Sequence, residues 1–591
     1  MYWSKGDISD SYQLTNSDHL YPAHINELRR QAPNLFNAGY YGSDTTGVEI
    51  QAAIDAANAV GGGVVYIPTG TWIVSVSLSV PDNISIMGNG ISTVLQFPAT
   101  GSTLKLLANS DSVGGNSNIT VQDLRINGNK SGRTGNADYS MYFDNVTDLK
   151  VKNVSCFDSR WSDLYIIDCT RGVVDGFFST TARAGALQME GGNRFFKILN
   201  STVTGLPYTE GLFSHSFRIN GEDIIVDNCI AYDCGDVGFG IGTGNWAGRA
   251  KRVTITNCIG YDTRDFPFFI AYGEEISISN CIAHGKGDSV FKDLSAGGGI
   301  GVQYVANISI TNNICVNNWY SGIMFSDMGA GQSITHLVIK GNICVNNDGL
   351  DTGTQAGILV YADAASSTTE LSIEGNICGD TQVNPTQTWG IRITGGTNQR
   401  HIIKNNYCFD NRGSGISAAM AGPTNTIIDG NYCLNNGREV SASGITVFAG
   451  DNTIVSNNAC IDNQATATQL YGIYLVAVAG GNTFLAVNGN QCKGNKRHGI
   501  YGDGLVTSTL TGNVLNANST ETNNTYSGIS LKDSSYCSIV GNVSTGATQK
   551  YGIESTGTSN YLEVIGNTLT GNGTAATSLA GANNDSAHNM A

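Results

Sequence analysis

Short apolar runs alternate with polar residues along most of this chain, and the alternation has a period of two. Stretches such as ISITNN, ICVNN and SGIMFSD show it within a single segment of the later half. Period-2 alternation predicts strands with one buried face, and the Asn and Gly residues between the runs predict turns. The runs are too short for helices. They recur in groups of three, each group closed by a Gly-Ile pair, from Gly322-Ile323 through Gly357-Ile358 and onward to Gly552-Ile553. The eight intervals between successive pairs are 35, 33, 25, 29, 28, 27, 29 and 24 residues. A period in this range marks a repeat architecture. Three strands per repeat predict an all-β fold, a right-handed parallel β-helix in which each coil lies about 4.8 Å from the next. The Leu-x-x-Leu-x-Leu frames of a leucine-rich repeat and the Trp- or Asp-marked blades of a propeller are both absent.

Cysteine supports the same register. Cys315, Cys344, Cys378, Cys408, Cys433, Cys460 and Cys492 each sit in one local frame, as in NNICVNN, GNYCLNN and GNQCKGN. One Cys per repeat in a constant slot predicts an inward column of small apolar side chains, since a free thiol packs as a small hydrophobe. No CxxC pair has zinc-ligand spacing. Of 14 cysteines in all, many left free would fit synthesis in a reducing compartment.

The start of the chain reads differently. Thr46–Val60, TGVEIQAAIDAANAV, carries apolar residues at helical spacing and stops at Gly61-Gly62-Gly63. A helix there would cap the open edge of the first coil. The stretch VEIQAAIDAANAVGGGVVYIPTGTWIV, followed by SIMGNGISTVLQF, resembles the opening of the pectate-lyase-like superfamily, closest in flavour to phage tailspikes and polysaccharide depolymerases. With the Asn-rich coils downstream, the likeness covers residues 36–570. It implies a carbohydrate-facing solenoid, and one scaffold hosts hydrolases, lyases, epimerases and plain adhesins. Residues 1–35 are expected to form an arm or linker, and 571–591 a cap or tail.

Composition narrows the partners. The net charge is −16, with charged residues at only 14%. No basic stripe favours nucleic acid, and no apolar run is long enough to span a bilayer. The first residues, MYWSKGDISDSYQL, contain no apolar leader segment. A virion or extracellular location is expected, and the tailspike likeness implies a homotrimer with polysaccharide as partner.

Charge is concentrated. Residues 121–300 hold 38 Asp, Glu, Lys and Arg and 22 aromatics, whereas residues 301–591 hold 29 and 18. Sugar sites need both kinds of side chain, because rings stack on sugar faces and charged groups bind hydroxyls or uronates. Aligning SCFDSRWSDLYI, IAYDCGDVGFGI, IGYDTRDFPFFI and IAHGKGDSVFKDL puts Asp163, Asp236, Asp265 and Asp288 in one predicted column. Asp158, Asp233 and Asp262 fall in a second, where the last frame has Gly285. Carboxylates one coil apart suit acid–base or nucleophilic work on a glycosidic bond; the plainer alternative is an Asp that only bonds turn backbone. Glu210, His215 and Arg264 are further catalytic candidates. Trp161, Arg218, Trp246, Tyr261, Tyr272 and Lys286 are candidate substrate contacts. Ca²⁺ held by the aspartates would suit a lyase. The Asp-Pro-His-Glu motif of alginate epimerases is missing; YIIDCTR (165–171) is the nearest stretch. The Asn-Thr-Asp and Arg-Ile-Lys signatures of galacturonases are missing too. The readings that remain are a depolymerase, a non-catalytic binder, and a lyase or epimerase.

Overall fold

The computed structural model describes residues 34–591, except 102–103, 134–137, 207–214, 243–249, 286–296, 327–332, 350–352, 420–422, 440–441, 449 and 477–481. The arm expected over residues 1–35 therefore lies almost wholly outside the described residues. From Leu35 onward the chain winds as a parallel β-helix. Each coil contributes one strand to each of three sheets. In the coil that begins at Ile300, the strands are Ile300–Val302, Val305–Thr311 and Ile314–Val316. The first belongs to the glycine–isoleucine sheet, the second to a middle sheet and the third to the cysteine sheet. Every pairing between coils is parallel, as in Ile300↔Ile323, Ile308↔Leu337 and Cys315↔Cys344.

Alternation sets the core. Ile300 and Val302 point inward with no exposure, as do Ile308, Ile310 and Cys315 with at most 1%. The predicted cysteine column is present in full: Cys315, Cys344, Cys378, Cys408, Cys433, Cys460 and Cys492 pair slot by slot, free and buried. Small side chains are required there because the invariant glycine packs against them. A Cβ added at Gly444 would lie 2.9 Å from Cys460 Sγ.

Two polar ladders staple the corners. Between the middle and cysteine sheets, Asn313 Nδ2 donates to Asn342 Oδ1 at 3.0 Å, and the same bond repeats coil by coil to Asn567 and Asn589. Between the cysteine and glycine–isoleucine sheets, Asn318, Asn347, Gln387, Asn411 and Asn436 form the second ladder, which continues to Asn572. Each ladder asparagine also donates to a backbone carbonyl of the preceding coil, as Asn342 does to Ile310. Buried turn backbone is thus satisfied without water.

The helix Gly47–Asn58 caps the first coil, as its spacing predicted. Thr46 and Glu49 form a capping box, and Ile50, Ala53, Ile54 and Ala57 are fully buried. At the other end the winding continues past residue 570. Ala575–Leu579 pairs with Tyr551–Thr556, and Asp585–Ala587 with Glu563–Ile565. The segment expected as a cap or tail adds a final coil, in which Asn572 and Asn589 still occupy ladder slots. No helix among the described residues is long and apolar enough to cross a membrane.

Candidate functional site

Pairing fixes which aspartates share a slot. Phe239 pairs with Phe268 and Phe268 with Ile300, so Asp236 and Asp265, three residues earlier, stand one coil apart. Asp265 N donates to Asp236 O at 3.1 Å. The next slot is filled by Gly297, whose added Cβ would meet the Asp265 backbone at 2.3 Å. Tyr320 follows, donating its N–H to Gly297 O. The column expected to run on to Asp288 therefore ends at Asp265. The chain between the third strand and the next Gly-Ile strand is longer in that coil and shifts the alignment. Asp288 itself, with Glu210, Trp246 and Lys286, lies outside the described residues.

Asp163 also leaves the predicted column. Leu164, Leu187, Phe217 and Phe239 pair in turn, so Asp163 takes the slot that later coils give to glycine. Its side chain is fully buried, accepting from Ser140 at 3.2 Å and from Ser159 and Ser179. Burial pushes its carboxyl up to about 6, with the three hydroxyls pulling the other way. The residue that shares the slot of Asp236 and Asp265 in that coil is Trp161, three coils upstream of Asp236.

The second column is in register as predicted. Asp158, Asp233 and Asp262 all have left-handed backbone, with φ of 56°, 50° and 52°, and the same slot later holds Asn317 and Asn346 at 55° and 58°. Asn and Asp tolerate this conformation better than other side chains.

Around Asp236 and Asp265 the geometry tightens. His215 Nε2 lies 3.4 Å from Asp236 Oδ2, and His215 is only 4% exposed. That Asp236 oxygen is itself buried and accepts no hydrogen bond among the described residues. The Asp265 carboxyl is pushed up to about 7, chiefly by burial and then by the charge of Asp236, while Arg264 pulls it down. Phe266 and Phe269 stack at 5.3 Å, and Phe266 lies where a Cβ on Gly301 would approach within 2.7 Å. A buried carboxyl that holds its proton near neutral pH, beside a second carboxylate, can act as an acid–base or acid–nucleophile pair.

Upstream on the outer face of the same sheet, Arg218 Nη1 bonds Glu190 Oε1 at 2.8 Å. Gln188, one coil back, pairs with Arg218, and Tyr165 with Gln188. Tyr165 stacks on Tyr142 at 5.5 Å, Tyr139 meets both edge-on, and Lys105 Nζ sits 3.3 Å from the Tyr142 ring centroid. Tyr139, Tyr142, Tyr165, Glu190, Phe266 and Phe269 were not singled out from sequence. Only the strand register brings them to one face; extending the coil alignment back to Tyr139 would have found them. Two predicted contacts lie apart from this face. Tyr261 stacks on Tyr232 over the cysteine sheet, and Tyr272 on Tyr304 at the far end of the Gly-Ile strand. Among the described residues, no three His, Cys, Asp or Glu side chains are grouped to hold a metal ion.

The right-handed β-helix region matches residues 217–385 and 356–522, more than half of the chain. The chain belongs to the right-handed β-helix family. Mannuronan C5-epimerase AlgE1 of Azotobacter vinelandii is 35% identical over 120 residues, which cover 18% of this chain and 9% of the epimerase. Mannuronan C5-epimerase AlgE4 of the same organism is 36% identical over 98 residues, 15% of this chain and 18% of that protein. The match thus spans less than a fifth of either relative. Among solved structures, the N-terminal fragment of bacteriophage phi29 gene product 12 is 14% identical, with 95% of each chain covered and a TM-score of 0.45. The surface adhesin PfbA of Streptococcus pneumoniae is 12% identical, covering 73% of this chain and 93% of its own, with a TM-score of 0.39.

Proposed function

We propose that this β-helix binds a polysaccharide along the outer face of its glycine–isoleucine sheet and cleaves it at Asp236 and Asp265. The observation that carries the reading is the pair itself. Two carboxylates stand in register one coil apart, about 4.8 Å by strand spacing, which suits a retaining glycosidase. Asp265 is half-buried, its carboxyl pushed up to about 7; Asp236 has a buried oxygen that accepts no hydrogen bond among the described residues and lies 3.4 Å from His215 Nε2. In this reaction Asp236 attacks the anomeric carbon while the glycosidic C–O bond breaks, and Asp265 gives its proton to the departing oxygen. Water then attacks the glycosyl–Asp236 ester, Asp265 takes back a proton, and Asp236 is released. His215 orients Asp236, and Arg218 with Glu190 binds sugar hydroxyls upstream. The role belongs outside the cell or on a virion.

A second reading is favoured by the relatives named as mannuronan C5-epimerases. There the substrate is a polyuronate, Arg264 and Arg218 face its carboxylates, and a base removes the proton beside one of them. The test is release of reducing ends from a panel of bacterial and plant polysaccharides that includes polymannuronate. Asp265→Asn and Asp236→Asn should each lower turnover about 1000-fold without loss of folding, and turnover should fall as pH rises through about 7, where Asp265 loses its proton. Full activity in both variants would overturn the assignment. Ultraviolet absorbance from an unsaturated uronate would favour elimination instead, and binding with no chemistry would leave a pure receptor-binding surface.

A further inference from the structure

A second cluster of rings stands on the outer face of the glycine–isoleucine sheet, far from the aspartate pair. Tyr474 pairs with Tyr501 in register, while the coils before and after place Thr446 and Ser530 in the same slot. The two rings stack at 5.5 Å. Tyr471 stacks on Tyr501 at 5.2 Å, and His498 on Tyr501 at 5.3 Å. Tyr526 closes the turn side, edge-on to His498 at 5.2 Å. Counting strand pairings from Phe268 through Ile300 to Ile500 places Tyr501 eight coils beyond Asp265, about 40 Å along the axis.

Paired charges border these rings on both sides. On the turn side Arg497 Nε bonds Glu521 at 2.8 Å, with its guanidinium 5.2 Å from the Tyr526 centroid. At the far end of the strand Lys532 Nζ bonds Asp503 at 3.1 Å. Each ion pair is partly exposed and offers both donors and acceptors. The cations therefore do not add up to an anion site, and the carboxylates do not add up to a cation site.

We infer that the Tyr474–Tyr501 cluster is a second glycan-binding strip, which takes a neutral sugar chain. Aromatic rings supply apolar contact to sugar faces, and flanking hydrogen-bonding groups fix orientation. Balanced charge selects an uncharged ligand over a polyuronate or a nucleic acid. The strip shares its face with the aspartate pair, so one polymer can lie across both. This inference rests on reading that face as glycan-binding, but not on any chemistry at Asp236 and Asp265.

Affinity electrophoresis through gels containing dextran, inulin or galactomannan, with polygalacturonate as the acidic control, tests it on the full chain. The wild type should be retarded by at least one neutral polymer. The Asp236→Asn/Asp265→Asn variant should lose turnover and still be retarded by the same neutral polymer, which separates this strip from the catalytic reading. Tyr474→Ala/Tyr501→Ala should lose at least about tenfold in affinity, the range that stacked rings contribute, while still unfolding in a single cooperative transition well above the assay temperature. Tyr501→Phe, which keeps the ring, should retain most of it. Retardation of the double alanine variant equal to wild type, or of the wild type by polygalacturonate alone, would overturn the inference, as would no retardation by any neutral polymer.

Discussion

The coils before and after residue 313 use the same corner slots for different ends. In the later half, the slot before each cysteine-sheet strand holds Asn313, Asn342, Asn376 and their successors, hydrogen-bonded in an unbroken ladder. In the earlier half that slot holds Ser201, Cys229, Cys258 and Cys281. The second ladder slot, Asn318 in the later half, is Leu206, Cys234 and Thr263 earlier. The aspartate pair sits on the turns that lack the second ladder. A turn stapled by Asn has its polar groups spent on its neighbours. A turn without the staple can carry half-buried carboxyl groups whose hydrogen-bonding capacity remains for a ligand. If the proposed site is right, regularity and function trade against each other here, one corner at a time.

The difference can be broken most severely at a ladder rung. Asn431 is 1% exposed, donates to Asn458 Oδ1 and Ile403 O, and accepts from Asn406 N and Nδ2. Asn431→Leu strands several buried groups at once and should cost about 4 kcal/mol, read as a drop in the thermal unfolding midpoint. Cys258 fills the same slot in the unstapled half, and Cys258→Val should cost less than about 1.5 kcal/mol. Equal losses in the two variants would mean that the ladder contributes no more than packing. Next in size, Cys460→Leu should cost about 2 kcal/mol by overpacking against Gly444.

His401 is a flaw within the regular half. It lies in line with Leu337 and Leu371, fully buried, with neither ring nitrogen hydrogen-bonded among the described residues. Burial, with help from Arg400, lowers it to about 4. The unfolded chain takes up a proton near pH 6.5 and the folded chain only near 4. The stability His401 permits is therefore complete above about 6.5 and is lost as pH falls toward 4. His401→Leu should raise stability by about 1–2 kcal/mol at neutral pH and flatten this acid limb in a pH series of melts. Asp163 works in the opposite sense. Its carboxyl is raised to about 6, so the folded state gains as pH falls through that value, and the histidine limb is read as the difference between the wild type and His401→Leu. The smallest effect is expected for Asp233→Asn and Asp262→Asn. Both sit in left-handed turns where later coils have Asn, so stability should change by less than about 0.5 kcal/mol.

Much of this was legible from spacing alone. The Gly-Ile intervals and the cysteine frames set the register of the later coils because their side chains repeat one packing problem. The helix Gly47–Asn58 was legible from its apolar spacing and its glycine stop. Asp236 and Asp265 were found in register because their two coils have turns of equal length. Asp163 was misplaced by two residues, since SRWSD and CGDVG hold an Asp at different distances from the following strand. Asp288 was misplaced because its coil carries an insertion before Gly297. Of the tyrosine face, Tyr165 follows Cys156, a marker in the cysteine slot, and could have been aligned from it; the coil of Tyr142 has neither a Gly-Ile nor a Cys marker, so its register shows only in the strand pairing.

The unbroken stapling of the later coils makes this part of the molecule a ruler. Residues 416–444 form one complete turn of the winding: Ile416 pairs with Ile391 before it and Ile445 after it. Excising them would join Gly415 to Ile445, the same Gly-Ile junction. Asn406 would then face Asn458, and Cys408 would face Cys460. Each such excision or duplication changes the separation of Asp265 and Tyr501 by one strand spacing, about 4.8 Å, while both stay on the same side. On the proposed reading, the reach of the protein along an extended polymer is lengthened or shortened in fixed steps by whole-repeat gain or loss, with no side chain at either end having to change.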